Sequence, residues 1–448
     1  MQTAVDALPQ PSLFDPAWRN VSIGAIGLCS MMAFEAMGVA AAMPAVAAAL
    51  DGIGLYTLAF SGTLAGSVVA MVWSGIDCDR HGPLRSMAGG LLLFASGLLL
   101  AGLSGSMSMM VAGRIIQGLG VGALGVALYV ITARAVPAVL HPRLFALFSA
   151  AWVLPSVLGP ALAGYIVDQL GWRWLFLSVF VLLLPAAALM LPPARRSNAP
   201  AAAAAPARHA LAWALLAAAS CIAISLGARL GAWAAFAVLL SLAALGFSAA
   251  RLLPRGTLPL MAGLPTVVAL RGLNASAFFL CEAFVPLWLH QERAWSISAA
   301  GLALTSGALS WSIGSQWQSR IAGDARRRSW LRRGCLLLGA GILVSGITVL
   351  AWLPDSAMLI GWSIAGLGAG ISLPMLGVLT LKLAPREQQG VYASALQLCS
   401  ALYTSAALAA GGLIHSLLRS TLPELAYPCV FGMAAVLALI SWRHADLG

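Results

Sequence analysis

The sequence has 448 residues, of which 61% are hydrophobic and only 9% carry a charge. Soluble domains carry about 25% charged residues, so this chain has too few polar side chains to cover a water-facing globule. The net charge of +11 does not indicate nucleic-acid binding, because the basic residues lie in short gaps between apolar runs, as in the cytoplasmic loops of membrane proteins.

Fourteen continuous apolar segments predict an all-α membrane protein with about fourteen transmembrane helices, since runs of roughly 18 or more apolar residues suffice to span a bilayer. Hydrophobicity is continuous rather than alternating, which favours helices over strands. The first segment is too long for a signal-peptide core, so we expect it to be retained. The predicted spans are 21–47, 55–76, 86–104, 107–136, 143–168, 172–192, 210–228, 232–251, 264–289, 297–320, 334–353, 356–384, 390–417 and 424–442.

The distribution of basic residues predicts the orientation. With the N-terminus inside, nineteen of the 25 Lys and Arg residues fall on the cytoplasmic side and four fall outside. This asymmetry predicts an inner-membrane protein with both termini in the cytoplasm. The remaining two, Arg114 and Arg271, lie within apolar segments. Arg271 is near the cytoplasmic end of its span, and we interpret it as snorkelling to the headgroups, with a role in the site as the alternative.

The order of segments predicts five regions. They are a cytoplasmic leader (1–20), a six-helix bundle (21–193), an Ala-Pro linker (194–209), an extra helix pair (210–255) and a second six-helix bundle (256–448). The segments of the extra pair are short, so a shallow hairpin is an alternative to two full spans.

The two halves repeat with an offset near 248. Gly118 and Gly122 recur as Gly366 and Gly370, and these pairs predict close helix contacts. Glu35 is echoed by Glu282 at an offset of 247. Parallel halves related by an axis along the membrane normal are a known transporter plan, with the substrate between the halves at the midplane.

Glu35 and Glu282 are the acids that lie deep within apolar segments. A charge at the bilayer centre costs about 2.5–3.5 kcal/mol on insertion scales, so such a residue usually faces a cavity or a partner. A carboxyl group that is protonated when empty and ionised when it holds a cation can exchange a proton for substrate. The alternative is a permanently protonated Glu that hydrogen-bonds a neighbouring helix.

Three further residues are predicted to belong to the same site. The long guanidinium of Arg114 can reach toward Glu35, with Gln117 one turn away, although snorkelling to the outer headgroups is an alternative for this Arg. Trp152 is the aromatic residue we expect in a pocket for flat or cationic amphiphiles, whereas most aromatics are packing or interfacial anchors.

Three motifs stand in order along the first half. The segment 75–85 reads GIDCDRHGPLR, the segment 114–120 reads RIIQGLG and the segment 159–164 reads GPALAG. They resemble the signature loop, the fourth-helix motif and the proton-driven exporter motif of the major facilitator superfamily. The resemblance implies that family's fold of two pseudo-symmetric six-helix bundles, and the helix count is similar to its fourteen-helix drug:proton antiporter branch. The chain departs from the exporter motif at Pro155 and Ala163, where glycine is usual, and the second half's copy of the loop, Gly314 to Arg320, lacks the acid.

The first motif is predicted to be a charged loop that latches the rocking halves in one conformation. Its residues are Gly75, Asp79, Arg80, Gly82 and Arg85. Gly82 would supply a turn that side chains disfavour. Ordinary positive-inside charge is the alternative, but it does not require Asp79.

The third motif is predicted to kink the fifth helix, because proline lacks an amide donor. Its residues are Pro155, Gly159, Pro160 and Gly164. A tolerated, lipid-facing proline is the alternative.

These features predict a monomeric secondary transporter that exports small amphiphilic molecules or drugs in exchange for protons. No cofactor is expected, and the scattered cysteines and histidines predict no metal site. A dedicated metabolite exporter or a proton-coupled importer of the same fold remains an alternative. A passive channel suits the half-repeat less well. A polytopic enzyme, such as a lipid-modifying transferase, would need clustered catalytic side chains, and none is visible.

Overall fold

A computed structural model describes residues 12–52, 55–198, 209–227, 230–295, 297–350 and 353–446. The regular structure in these ranges is helical, with fourteen α-helices numbered in chain order. Their bounds are α1 Arg19–Ala49, α2 Tyr56–His81, α3 Pro83–Gly102, α4 Met107–Ala135, α5 His141–Leu170, α6 Arg173–Arg196, α7 Ala210–Gly227, α8 Ala234–Leu252, α9 Leu264–Gln291, α10 Ile297–Ser319, α11 Asp324–Val349, α12 Asp355–Leu383, α13 Gln389–Thr421 and α14 Pro423–Arg443.

The predicted all-α membrane architecture is confirmed. Within the described ranges, twelve helices are long and apolar enough to cross a membrane. The other two, α5 and α10, have 30 and 23 residues, and a count of fourteen spans stays a prediction. The largest boundary error is at α11, which begins at Asp324 rather than at 334. Arginine is a good helix former, so the basic run before the apolar segment continues the helix.

Glycines bring the helices of each half together in the same way. A side chain at any of these glycines would overlap the backbone of the opposing helix: Gly118 on Thr63, Gly122 on Ser67, Gly366 on Gly307 and Gly370 on Trp311. In the first half α4 therefore packs closely on α2, and in the second half α12 packs closely on α10. The predicted close contacts occur at equivalent positions, so the sequence repeat is also a repeat of packing.

The extra pair, α7 and α8, lies where the two halves adjoin. Its buried residues form one apolar cluster with α2 and α13: Ala214, Ala217 and Cys221 of α7, Leu245 and Ala249 of α8, Val68 and Val72 of α2, and Leu398, Cys399 and Leu402 of α13. The pair consequently covers one side of the α2–α13 seam. At 18 and 19 residues, both helices meet the length and hydropathy of a span.

The halves meet at the end of the bundle where α1 begins and α14 ends, which is the terminus-bearing end. There the Gln318 side-chain amide donates to the Pro142 carbonyl (3.2 Å) and the Ser394 hydroxyl donates to the Met71 carbonyl (2.7 Å). Slightly further in, the ring of Phe145 lies against Gly377. These contacts join α2 and α5 of the first half to α10, α12 and α13 of the second.

Candidate functional site

A buried polar cluster links α1 to α4. Nη1 of Arg114 donates to Oε1 of Glu35 and, at 3.0 Å, to Oε1 of Gln117. Glu35 and Arg114 are each 4% exposed and Gln117 is fully buried. The reach of Arg114 toward Glu35 that the sequence suggested is therefore present, and neither side chain extends to a headgroup region. The roles of the three residues in transport stay predictions.

The cluster also holds unused hydrogen-bond donors. Nε of Arg114 and Nε2 of Gln117 are buried and have no hydrogen-bond partner among the described residues. Buried donors are nearly always satisfied, either by protein groups or by ordered water. The cluster is thus a charged pair with spare N–H groups, rather than a closed network.

Glu282 occupies the corresponding depth of α9 but has a different environment. It is partly exposed, and it makes no ion pair or side-chain hydrogen bond with any residue in the described ranges. Phe279, one turn earlier, is also accessible, at 36%. The two halves therefore carry one paired acid and one open acid.

Trp152 lies on the inward face of α5. Its side chain is 44% exposed, whereas Phe145, Phe148 and Gly159, at helical spacings of seven, four and seven residues, are buried. Residues at such spacings share a helix face, so the exposed surface of Trp152 belongs to the face that packs on the rest of the bundle. This position fits the predicted pocket wall.

The exporter motif lies within one continuous helix. α5 runs unbroken through Pro155, Gly159, Pro160 and Gly164. A Cβ at Gly159 would touch Met37 of α1 at 3.3 Å, while a Cβ at Gly164 would meet nothing within 4 Å. Gly159 therefore permits close α1–α5 packing, and the predicted kink stays a prediction.

The prediction of a loop between the second and third spans, over 77–85, was wrong. α2 continues to His81 and α3 begins at Pro83, so Gly75, Asp79 and Arg80 are helical and Gly82 alone separates the two helices. Gly82 has φ +82°, a conformation that glycine adopts without steric cost. A side chain there would also overlap Asn198, whose Oδ1 accepts the Leu84 amide at 3.2 Å.

Asp79 joins the first half to the second. Its Oδ1 accepts the backbone N–H of Gly390 (2.6 Å) and its Oδ2 accepts that of Val391 (2.8 Å). These amides open α13, where the helix dipole favours a negative charge. Asp79 is fully buried, and Gly75 and Gly390 allow the two backbones to cross closely. The latch residue predicted from the sequence thus makes a contact between halves.

The basic residues of this motif do not pair with Asp79. Arg85 lies 3.7 Å from Asp77 and Arg80 is exposed. Asp77 also accepts from the Ser86 hydroxyl at 3.1 Å and contacts Nδ1 of His81 at 2.8 Å. Sequence reasoning missed Asp77, although its spacing of four residues from His81 on one helix was visible.

Arg271 has partners that differ from the sequence interpretation. Rather than pointing to the headgroups, its guanidinium donates to the Ser400 hydroxyl of α13 (3.1 Å) and to the Leu373 carbonyl of α12 (2.8 Å). The interpretation as a snorkelling residue was therefore wrong, and no signal in the local sequence distinguished the two arrangements.

Known proteins share this architecture across almost the whole chain. The human organic anion transporter MFSD10 superposes with a TM-score of 0.73 at 15% identity, covering 96% of this chain and all of that one. At this identity the likeness shows the fold alone.

The sequence relatives include bacterial transporters. An uncharacterised MFS-type transporter of Mycobacterium tuberculosis is 27% identical over 401 residues, which is 85% of this chain and 57% of the relative, so the chain spans little more than half the length of that protein. The multidrug efflux pump SdrM of Staphylococcus aureus is 29% identical over 154 residues, about a third of each chain (34%). The sequence profile of the Major Facilitator Superfamily matches residues 23–407, and the chain belongs to this superfamily of transporters.

Proposed function

We propose that this transporter is a proton-coupled exporter of small amphiphilic molecules, inserted in the inner membrane with both termini in the cytoplasm and working as a monomer. The observation that carries the proposal is the buried Glu35–Arg114 pair between α1 and α4. A carboxylate that is out of water and beside a cation exists in two states, ionised and paired or protonated and released. Those two states are what coupling to a proton requires.

The hydrogen bonds of the cluster suggest how a proton would act. Protonation of Glu35 removes the charge that holds Arg114 to α1, while Gln117 keeps Arg114 in place on α4 through its Oε1. The link between α1 and α4 then weakens, and α1 is freer to move against α4. The unused Nε of Arg114 and Nε2 of Gln117 offer donors to water or cargo during that movement.

The contacts between halves suggest which state this is. The hydrogen bonds described between the halves lie at the terminus-bearing end, and they include those that Asp79 of α2 accepts from the first turn of α13. In the proposed orientation that end is cytoplasmic, so the substrate cleft would open to the outside. Asp79 would stabilise this state and release when the halves rock.

The cleft offers features that suit amphiphilic cargo. Glu282 and Phe279 lie on the accessible stripe of α9, and Trp152 lies on the inward face of α5. An open acid with aromatic neighbours attracts a cationic or polar head and an apolar body. Partial similarity to a multidrug efflux pump supports the outward direction.

The test is transport in proteoliposomes with an imposed pH gradient and a fluorescent amphiphile on one side. Glu35→Gln is expected to abolish transport driven by the gradient. Glu424→Gln, at an exposed acid of α14, is the matched control and is expected to transport like the unmodified protein. Full gradient-driven transport by Glu35→Gln would refute coupling through this residue, and accumulation in the opposite direction would identify an importer.

A further inference from the structure

Arg271 is the one partly exposed residue in an otherwise buried stretch of α9. Every residue from Thr266 to Phe278 is buried except Arg271, which is partly exposed. α9 packs on α10, α11, α12, α13 and α14, and Arg271 lies on the face that these helices leave partly uncovered, within electrostatic range of Tyr129 of α4 in the first half. The guanidinium is the group that this face presents.

The charge of Arg271 is not compensated within the described part of the chain. Its partners there are a hydroxyl and a carbonyl, and it forms no ion pair with an Asp or Glu of those residues. An Arg carries five N–H donors, and the Nη2 pair makes no hydrogen bond to a described residue. Arg114, by contrast, is neutralised by Glu35. A cation held at membrane depth by neutral groups is costly unless an anion joins it.

The partners of Arg271 place it just outward of the contacts between the two halves. Leu373 is one turn of α12 outward from Gly377, which lies against Phe145 of the first half. Ser400 is about one turn of α13 outward from Gln397, whose side-chain amide lies against Gly125 of α4. Arg271 therefore lies in the first layer above the level at which the halves touch.

We propose that Arg271 binds an anionic oxygen group of the cargo, such as a carboxylate, at the floor of the cleft. Guanidinium binds such groups in a bidentate fashion and more strongly than neutral donors do. This inference rests on the proposed function and deepens it by naming a substrate class. Glu282 lies eleven residues along α9, about 16 Å and three turns away on the same face, so a zwitterionic amphiphile can place its acidic end at Arg271 and its cationic end toward Glu282.

The test uses two dyes that differ by one methyl group. Rhodamine 110 carries a free carboxylate, and rhodamine 123 is its methyl ester with the same cationic ring system. Binding of each to the purified full chain in nanodiscs is measured by fluorescence anisotropy. We expect the unmodified protein to bind the acid more tightly than the ester, and Arg271→Gln to weaken binding of the acid by about tenfold to a hundredfold, the range for a charge-assisted hydrogen bond. The affinity of Arg271→Gln for the ester is expected to differ little from that of the unmodified protein.

Two controls separate a binding role from a structural one. The affinity of Arg271→Gln for the ester reports whether the cleft is intact. Arg271→Lys keeps the charge but not the bidentate geometry, and it is expected to retain part of the preference for the acid.

Each other outcome overturns the inference. Equal loss of acid and ester binding in Arg271→Gln would show that Arg271 only holds α12 and α13 in place. A preference for the acid that survives in Arg271→Gln, or no preference in the unmodified protein while the ester binds, would overturn the inference and leave the proposed function standing. Failure of the unmodified protein to bind either dye would overturn both.

Discussion

Asp79→Ala is expected to open the terminus-bearing end of the protein. The substitution removes both hydrogen bonds to the start of α13, at Gly390 and Val391. Hydrogen bonds to a charged group contribute about 1.5–3 kcal/mol each, so the closed state loses about 3 kcal/mol or more. That corresponds to about a hundredfold change in an equilibrium constant, and a 99:1 preference for the closed end would become nearly equal.

The assay is the distance between spin labels across this end, measured by pulsed electron–electron double resonance. Val139, before α5, is 65% exposed, and Arg320, after α10, is exposed, so both positions accept a labelled cysteine. Among the free cysteines, Cys429 is exposed and is replaced by serine in the background. The expected result for Asp79→Ala is a second, longer distance population.

Asp79→Asn and Glu424→Gln are the comparison variants. Asn keeps one carbonyl acceptor and loses the charge, so its longer population is expected to be smaller than that of Asp79→Ala. Glu424→Gln is expected to match the unmodified protein. A folded Asp79→Ala protein whose distances superimpose on those of the unmodified chain would refute the latch.

Three further substitutions test other parts of the structure. Glu35→Gln leaves Arg114 charged and buried, so it is expected to destabilise the protein by up to about 3–5 kcal/mol. The double variant Glu35→Gln/Arg114→Gln should recover part of that stability in a thermal-unfolding assay. A double variant less stable than the single one would contradict the pairing. Gly118→Ala is expected to lower the unfolding temperature because the new Cβ overlaps the backbone of α2. Gly164→Ala is the control, because a Cβ there enters open space and should leave the unfolding temperature unchanged. Similar unfolding temperatures for the two variants would argue against the close α2–α4 contact. Glu282→Gln removes no ion pair, so the unfolding temperature of this variant should stay unchanged. Its affinity for cationic rhodamine 123 should fall, and an unchanged affinity would exclude a role for Glu282 in binding the cation.

Part of the candidate site was visible in the sequence because a charged side chain in the membrane carries a large free-energy cost. An acid or a base within an apolar segment is expensive wherever the segment lies, so Glu35, Glu282 and Arg114 stood out before any partner was known. The depths of Glu35 and Arg114 in the first and fourth segments suggested that Arg114 could reach toward Glu35, with snorkelling as the alternative. Whether an acid is paired or open did not follow, and only the packing of neighbouring helices separates Glu35 from Glu282.

The helices themselves were determined by the sequence alone. In lipid every backbone donor and acceptor must be satisfied within its own segment, so a long apolar run has to be helical. The repeated glycine pairs likewise predicted close helix contacts, since small residues let backbones approach, and the structure shows that the partners are α2 for α4 and α10 for α12. Error was confined to the ends, where polar runs such as 324–333 and 77–81 continue a helix beyond its apolar part.

Only the tertiary structure decided which residues meet across the halves. Asp79 binds amides 311 and 312 residues away in the chain, and Arg271 turns toward α12 and α13 rather than toward the headgroups. Local periodicity carries no information about such contacts, because they depend on how two separately folded bundles are oriented. The sequence therefore determined the elements and the costly charges, and the packing of the halves decided what those charges bind.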